Sequence, residues 1–217
     1  MIEVTRTRAL RGPNLWSKHT SVEALVQCDT QHSIDLRISV PDFSKQLRHL
    51  FPSIYSIYNS TSETVYTFAH ALEEATLSLQ IEAGCPVTFS RTTATPKEGL
   101  YQVVVQYTEE AVGRLALDWA EKLCQAVQTQ AAFDLNQALA ELRDLDEDVR
   151  LGPSTGSIVD AAVLKGIPYR RLTEGSMVQF GWGSKQRRIQ AAETDTTSAI
   201  AESIAQDKDL TKSLLLA

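Results

Sequence analysis

Residues 101–123, YQVVVQYTEEAVGRLALDWAEKL, decide the fold class. Apart from two glutamines, the first seven are β-branched or aromatic, so Tyr101–Tyr107 reads as a strand in the middle of a sheet. The apolar period then changes to that of a helix. Val112, Leu115, Ala116, Trp119 and Leu123 fall on one side, Thr108 is placed to cap it, and Glu109 and Glu110 complement its dipole. A central strand that runs straight into an amphipathic helix calls for a sheet with helices packed on it.

Both periods recur on either side. Upstream, RALRGPNLWS (8–17) reads as a turn entering the fold, and VEALVQ (22–27) as a first strand. Ile34, Leu36, Ile38 and Val40 alternate with polar residues, which predicts a strand with one buried face, ended by Pro41. Phe43, Leu47 and Leu50 predict a short helix over 42–51, and the Ser/Tyr/Asn/Thr-rich stretch 52–62 a loop. A longer helix follows from Glu63 to Ala83, with Val65, Phe68, Leu72, Thr76, Leu79 and Ala83 on its stripe and Gly84 closing it. Residues 87–91 read as a strand. Downstream, Asp134 with Gln137 resembles a capping box for a helix carrying Leu135, Leu139, Leu142 and Leu145. Strands and helices mix without regular βαβ alternation, so the expected class is α+β, with a mixed sheet packed against helices.

A domain boundary is expected near residue 150. The acidic run DLDED (144–148) is followed by LGPSTG, which breaks the chain with Gly152, Pro153 and Gly156. The domains are therefore 1–150 and 151–217. In the second, a helix is expected from Ser157 to Lys165, stopped by Gly166; strands over 176–182 and 187–191 are joined by a Gly-Ser turn, and helical segments fill 197–217. The closing LTKSLLLA leaves apolar residues without a stop signal, so the second unit reads as incomplete.

Composition narrows the function. The 217 residues are 43% hydrophobic and 22% charged, as in a globular chain with a real core. Lys and Arg number 21 against 27 Asp and Glu, a net charge of −6, which argues against a nucleic-acid binder. No apolar run approaches the roughly 20 residues that span a bilayer, and the N-terminus has no secretory h-region, so the expected address is cytoplasmic with no membrane partner. Cys28, Cys85 and Cys124 form neither a zinc spacing nor a disulfide framework and read as buried free thiols.

Three constellations can carry chemistry. His70, Glu73 and Glu74 are helical neighbours: they either hold a divalent metal whose bound water attacks an amide, or form a solvated helix face. Leu77 and Ile81 continue their stripe, which points to a partly covered side. Lys185, Arg187 and Arg188 follow Gly181 and Gly183 on a hairpin, where they suit an anion or simply solubilise the tip. Ser154 and Thr155 sit at a helix start, as an N-cap or beside an anion held by backbone N–H groups.

RALRGPNLWS (8–17), LGPSTGSIVDAA (151–162) and RRLTEGSMVQFGWGSKQRRIQAAETDTTSAIAESIAQDKDLTKSLL (170–215) resemble cyanophycin synthetases, ATP-dependent amide ligases that build an Asp–Arg polymer. The resemblance implies an N-terminal polymer-binding domain over 1–150 and the opening of an α/β ATP-grasp domain over 151–217, with ATP and magnesium as cofactors of the complete enzyme. It also implies cyanophycin as partner and homo-oligomeric assembly at full length. Ser154 is then a residue that holds the polymer end, and Lys185, Arg187 and Arg188 belong to the family's KQRRIQ signature. AHALEEATLSLQ (69–80) matches a helix that in some members reads H-x-x-E-H and trims polymer with a metal. Here Glu74 replaces the second His and Ser78 a further acid, so that activity is not expected. Ser203, beside Glu202, also stands where relatives carry an acid, which suggests a divergent paralogue. The ten acids against four bases of 109–150 suit the polymer's guanidinium groups. The alternatives are a metal-dependent cyanophycin hydrolase working through His70, Glu73 and Glu74, and a non-catalytic adaptor of a complete synthetase.

Overall fold

The structure, a computed structural model, describes residues 2–28, 35–36, 42–58, 64–191 and 193–216. In chain order the first unit contains β1 (Ile2–Leu10), β2 (Ser21–Cys28), α1 (Phe43–Leu50), α2 (Phe68–Ala83), β3 (Ser90–Ala94), β4 (Leu100–Gln106), α3 (Glu110–Thr129) and α4 (Leu135–Val149). The second contains α5 (Pro153–Leu164), β5 (Tyr169–Arg171), β6 (Met177–Phe180), β7 (Arg187–Gln190), β8 (Glu193–Thr194), α6 (Ala199–Gln206) and α7 (Lys208–Leu215). The units meet between Arg150 and Leu151. Helices and two sheets make the chain α+β, but the sheet expected to be mixed is antiparallel in every described pair, as is the sheet of the second unit.

The first sheet runs β1-β2-β4-β3, so the strand YQVVVQY lies inside it, between β2 and β3. Alternation sorts its faces. Val22, Ala24 and Val26 of β2 oppose Val105, Val103 and Tyr101 of β4 on the inner face. Helices α2 and α3 pack on that face and on each other, with Phe68, Leu72 and Leu79 from one and Val112, Ala116 and Leu123 from the other all buried. Leu139 and Leu142 of α4 complete the core. Gly113 lets α3 approach closely: a Cβ there would lie 2.6 Å from the Cβ of Tyr107.

The outer face is covered in part by the segment between β1 and β2. Asn14 folds that segment, its Nδ2 donating to the carbonyls of Gly12 and His19 at 3.1 and 2.9 Å. Its Oδ1 accepts from the amides of Trp16 and Ser17 at 2.9 and 3.0 Å. Under this cover Glu23, Val104 and Gln106 are buried on what would otherwise be a solvated surface.

Several expectations are corrected. The strand expected over Ile34–Val40 falls largely outside the described residues; of its apolar members Leu36 is described, and it is helical, buried and bonded through its amide to the carbonyl of Tyr66. The strand expected over 87–91 is displaced to Ser90–Ala94; before it, the amides of Thr88 and Phe89 donate to the Gln106 side chain while the Phe89 carbonyl accepts from the Gln106 amide. The long helix begins at Phe68, not Glu63, and Val65 is exposed. Thr108 does not cap α3, whose N-cap residue is Glu109. Asp134 does cap α4, accepting from the amide of Gln137 at 2.9 Å. All three cysteines are free and buried.

In the second unit the sheet order is β5-β6-β7-β8. Val178 and Ile189 pack with Val159 of α5 in a small core. Helix α5 begins with Pro153 after Gly152 as N-cap, so neither Ser154 nor Thr155 caps it; they lie in its first turn. It ends before Gly166, whose positive φ of 70° turns the chain. Leu164, Leu215 and Leu216 are exposed. Among the described residues no helix is long and apolar enough to cross a membrane.

Candidate functional site

Helix α2 carries the strongest constellation. Every residue from Phe68 to Gln80 is buried, so His70, Glu73 and Glu74 do not form a solvated face. Two carboxylates in an apolar interior are costly unless their oxygens are satisfied. The segment before α2 and the edge strand β3 do this. Glu73 accepts from the hydroxyls of Tyr58 at 2.9 Å and Ser90 at 2.7 Å, one on each oxygen. Glu74 accepts on one oxygen from the amides of Ile57 and Tyr58 at 2.6 and 2.9 Å and on the other from the Tyr66 hydroxyl at 2.6 Å. Burial pushes both carboxyls above the ordinary glutamate range, against the pull of these donors. Burial and the neighbouring carboxylates push the Tyr58 and Tyr66 phenols up as well.

His70 belongs to the same network. The Tyr58 ring meets its imidazole edge-on at 4.7 Å between centroids. Its Nδ1 accepts from the backbone amide of Thr67 at 3.2 Å and lies 2.9 Å from the Thr67 hydroxyl, which caps the helix reciprocally. An amide can only donate, so Nδ1 is an acceptor and the neutral ring carries its proton on Nε2. That ring has no lone pair left for a metal. Each Glu73 and Glu74 oxygen already accepts from the fold, so a divalent ion here would compete with the donors that hold the helix in place. Among the described residues no group of three or more His, Cys, Asp or Glu is arranged to hold one. Ser78 is structural too, accepting from the amide of Tyr55 at 2.9 Å.

The basic candidates lie in the second unit. Lys185 is exposed in a 3-10 turn after β6. Arg187 and Arg188 are consecutive on β7, and successive side chains of a strand point to opposite faces. Arg187 shares the face of Ile189, toward α5, and lies 3.7 Å from Asp195. Arg188 shares the other face with Gln179 and Arg170. The hairpin therefore does not gather its cations onto one anion. Ser154 is exposed in the first turn of α5.

Residue spacing alone did not disclose Tyr58, Tyr66 and Ser90, because they reach the carboxylates from a separate segment and strand. The signal was the tyrosine content of 52–62, read as a loop, and of the start of the helix expected from Glu63, where Tyr66 lies.

The match to a family model covers residues 25–129 and carries the description Cyanophycin synthase-like N-terminal domain. The whole chain is 33% identical over 229 residues to the cyanophycin synthetase of Trichormus variabilis, of which it covers 25%. Over 228 residues it is 34% identical to the cyanophycin synthetase of Geminocystis herdmanii, covering 99% of this chain and 26% of that protein. The chain thus spans about a quarter of the length of the curated relatives it matches. Residues 25–129, which hold the central strand β4 and the helices α2 and α3, thus match the cyanophycin synthase-like N-terminal domain family, and the chain as a whole is similar to cyanophycin synthetases.

Proposed function

We propose that this chain is part of an ATP-dependent amide ligase of the cyanophycin synthetase type and that its first unit binds and positions the Asp–Arg polymer. The observation that carries the reading is the match of the entire chain, at about a third identity, to proteins named for making that polymer. The second unit, Leu151–Ala217, is the opening of the ATP-grasp domain, with ATP and magnesium bound by the complete enzyme. In it Ser154, Lys185, Arg187 and Arg188 contact the polymer as separate points, Ser154 at its end, since the sheet holds the two arginines on opposite faces.

The second reading, a metal-dependent hydrolase working through His70, Glu73 and Glu74, requires those side chains to give up hydrogen bonds they make within the fold. The test is cosedimentation of the purified chain with insoluble cyanophycin, together with a phosphate-release assay containing ATP, Mg²⁺, aspartate, arginine and primer. Binding without phosphate release is expected. Failure to sediment with the polymer would remove the reading. Polymer cleavage lost in a His70→Ala variant, with one equivalent of metal in the purified protein, would restore the hydrolase.

A further inference from the structure

Antiparallel pairing lines up side chains from four strands on the outer face of the first sheet. Arg8 opposes Glu23, Glu23 opposes Val104, and Val104 opposes Arg91, so these four form one row across the sheet. The next row is Arg6, Leu25, Gln102 and Thr93. Arginines stand at both edges, about 14 Å apart across three inter-strand spacings. The centre is rigid. Arg8 holds the buried Glu23 through Nε and Nη2, at 2.7 and 2.8 Å, and Gln102 and Trp16 also hydrogen-bond that carboxylate. Trp16, fixed by the Asn14-organised turn, carries the Arg91 guanidinium 5.6 Å above its ring.

This arrangement neutralises Glu23 and leaves cations outward. Among the described residues no carboxylate pairs with Arg6 or Arg91, and both are exposed. Glu3, at the far end of β1, is the one other acid of these strands on this face. A protein of net charge −6 therefore presents a basic, aromatic-centred face whose donors are held in place by a buried carboxylate.

We infer that this outer sheet face, with Arg6 and Arg91 as its anchors and Trp16 between them, docks an extended carboxylate-bearing polypeptide, the Asp–Arg polymer of the proposed function, on which this assignment rests. An extended chain rises about 3.4 Å per residue and alternates its side chains, so carboxylates four residues apart span about 14 Å on one side. That separation is close to the distance between the edge strands that carry Arg6 and Arg91, which stand one row apart along those strands. Planar guanidinium groups suit carboxylates through paired N–H donors, and the indole packs against the backbone between them.

The experiment measures cosedimentation of the full chain with cyanophycin, and binding to soluble poly-L-aspartate and poly-L-arginine. Wild type is compared with Arg6→Ala/Arg91→Ala and with the charge-matched Lys45→Ala/Arg48→Ala on α1. The first double variant removes two exposed side chains without acidic partners, so its melting temperature should fall by at most a few degrees, from loss of the Arg91–Trp16 contact. The expected result is at least a ten-fold loss of affinity for cyanophycin and poly-L-aspartate in that variant alone, with no binding to poly-L-arginine. Equal losses in both double variants would overturn the assignment in favour of general charge attraction. Unchanged binding in Arg6→Ala/Arg91→Ala would overturn it while leaving the polymer reading standing. Absence of wild-type binding to cyanophycin would end both.

Discussion

Glu74 ties the segment before α2 to the helix, accepting from two backbone amides and the Tyr66 hydroxyl. Truncation leaves those buried donors unmet, so Glu74→Ala should lower stability by about 2–4 kcal/mol in chemical denaturation. Glu73 supplies a pH signature. Its folded-state affinity for a proton exceeds the unfolded one because burial disfavours the charge. Its contribution is therefore complete below the ordinary glutamate range and is lost as pH rises through the folded value. Relative to wild type, Glu73→Gln should flatten this part of the fall in melting temperature with rising pH; a parallel profile would contradict it. Gly113 tests packing against propensity. Alanine normally favours a helix over glycine by about 1 kcal/mol. Here its Cβ meets that of Tyr107 at 2.6 Å, so Gly113→Ala should instead cost about 1–3 kcal/mol. The sequence names His70, Glu73 and Glu74 as neighbours, because helical spacing is local. It does not tell a metal ligand from a capping imidazole, because that depends on what meets Nδ1.

Elements with a clear apolar period were legible. Strands β2 and β4 and helices α1, α3 and α4 lie within a few residues of their expected places. Strand β1 was not, since IEVTRTRAL places threonines and arginines where an edge strand tolerates them and offers little apolar alternation. The turn between β1 and β2 was legible as a turn, but its role as a cover for Glu23 and Val104 was not. Asn14 satisfies four backbone groups there. Asn14→Ala should cost about 1–3 kcal/mol and open 11–20 to limited proteolysis, read by mass of the first cleavage products. Unchanged cleavage would show that the segment holds without Asn14.

Across the whole molecule the two units differ in what they bury. The first has a continuous core from β2 through α4. The second clusters Val159, Val178 and Ile189 and exposes leucines on α5 and α7. Hydrogen exchange should protect amides of β2, β4, α2 and α3 for longest, while those of β5–β8 and α6–α7 exchange early. Equal protection in both units would contradict this. The sequence by itself determined the α+β class and the helix that carries the buried carboxylates, because periodicity is written residue by residue along the chain. Only the tertiary structure decided that those carboxylates belong to the fold and that Arg8, Glu23, Val104 and Arg91 share a row. Strand order and register arise from burying all the apolar faces at once, and no local segment contains that information.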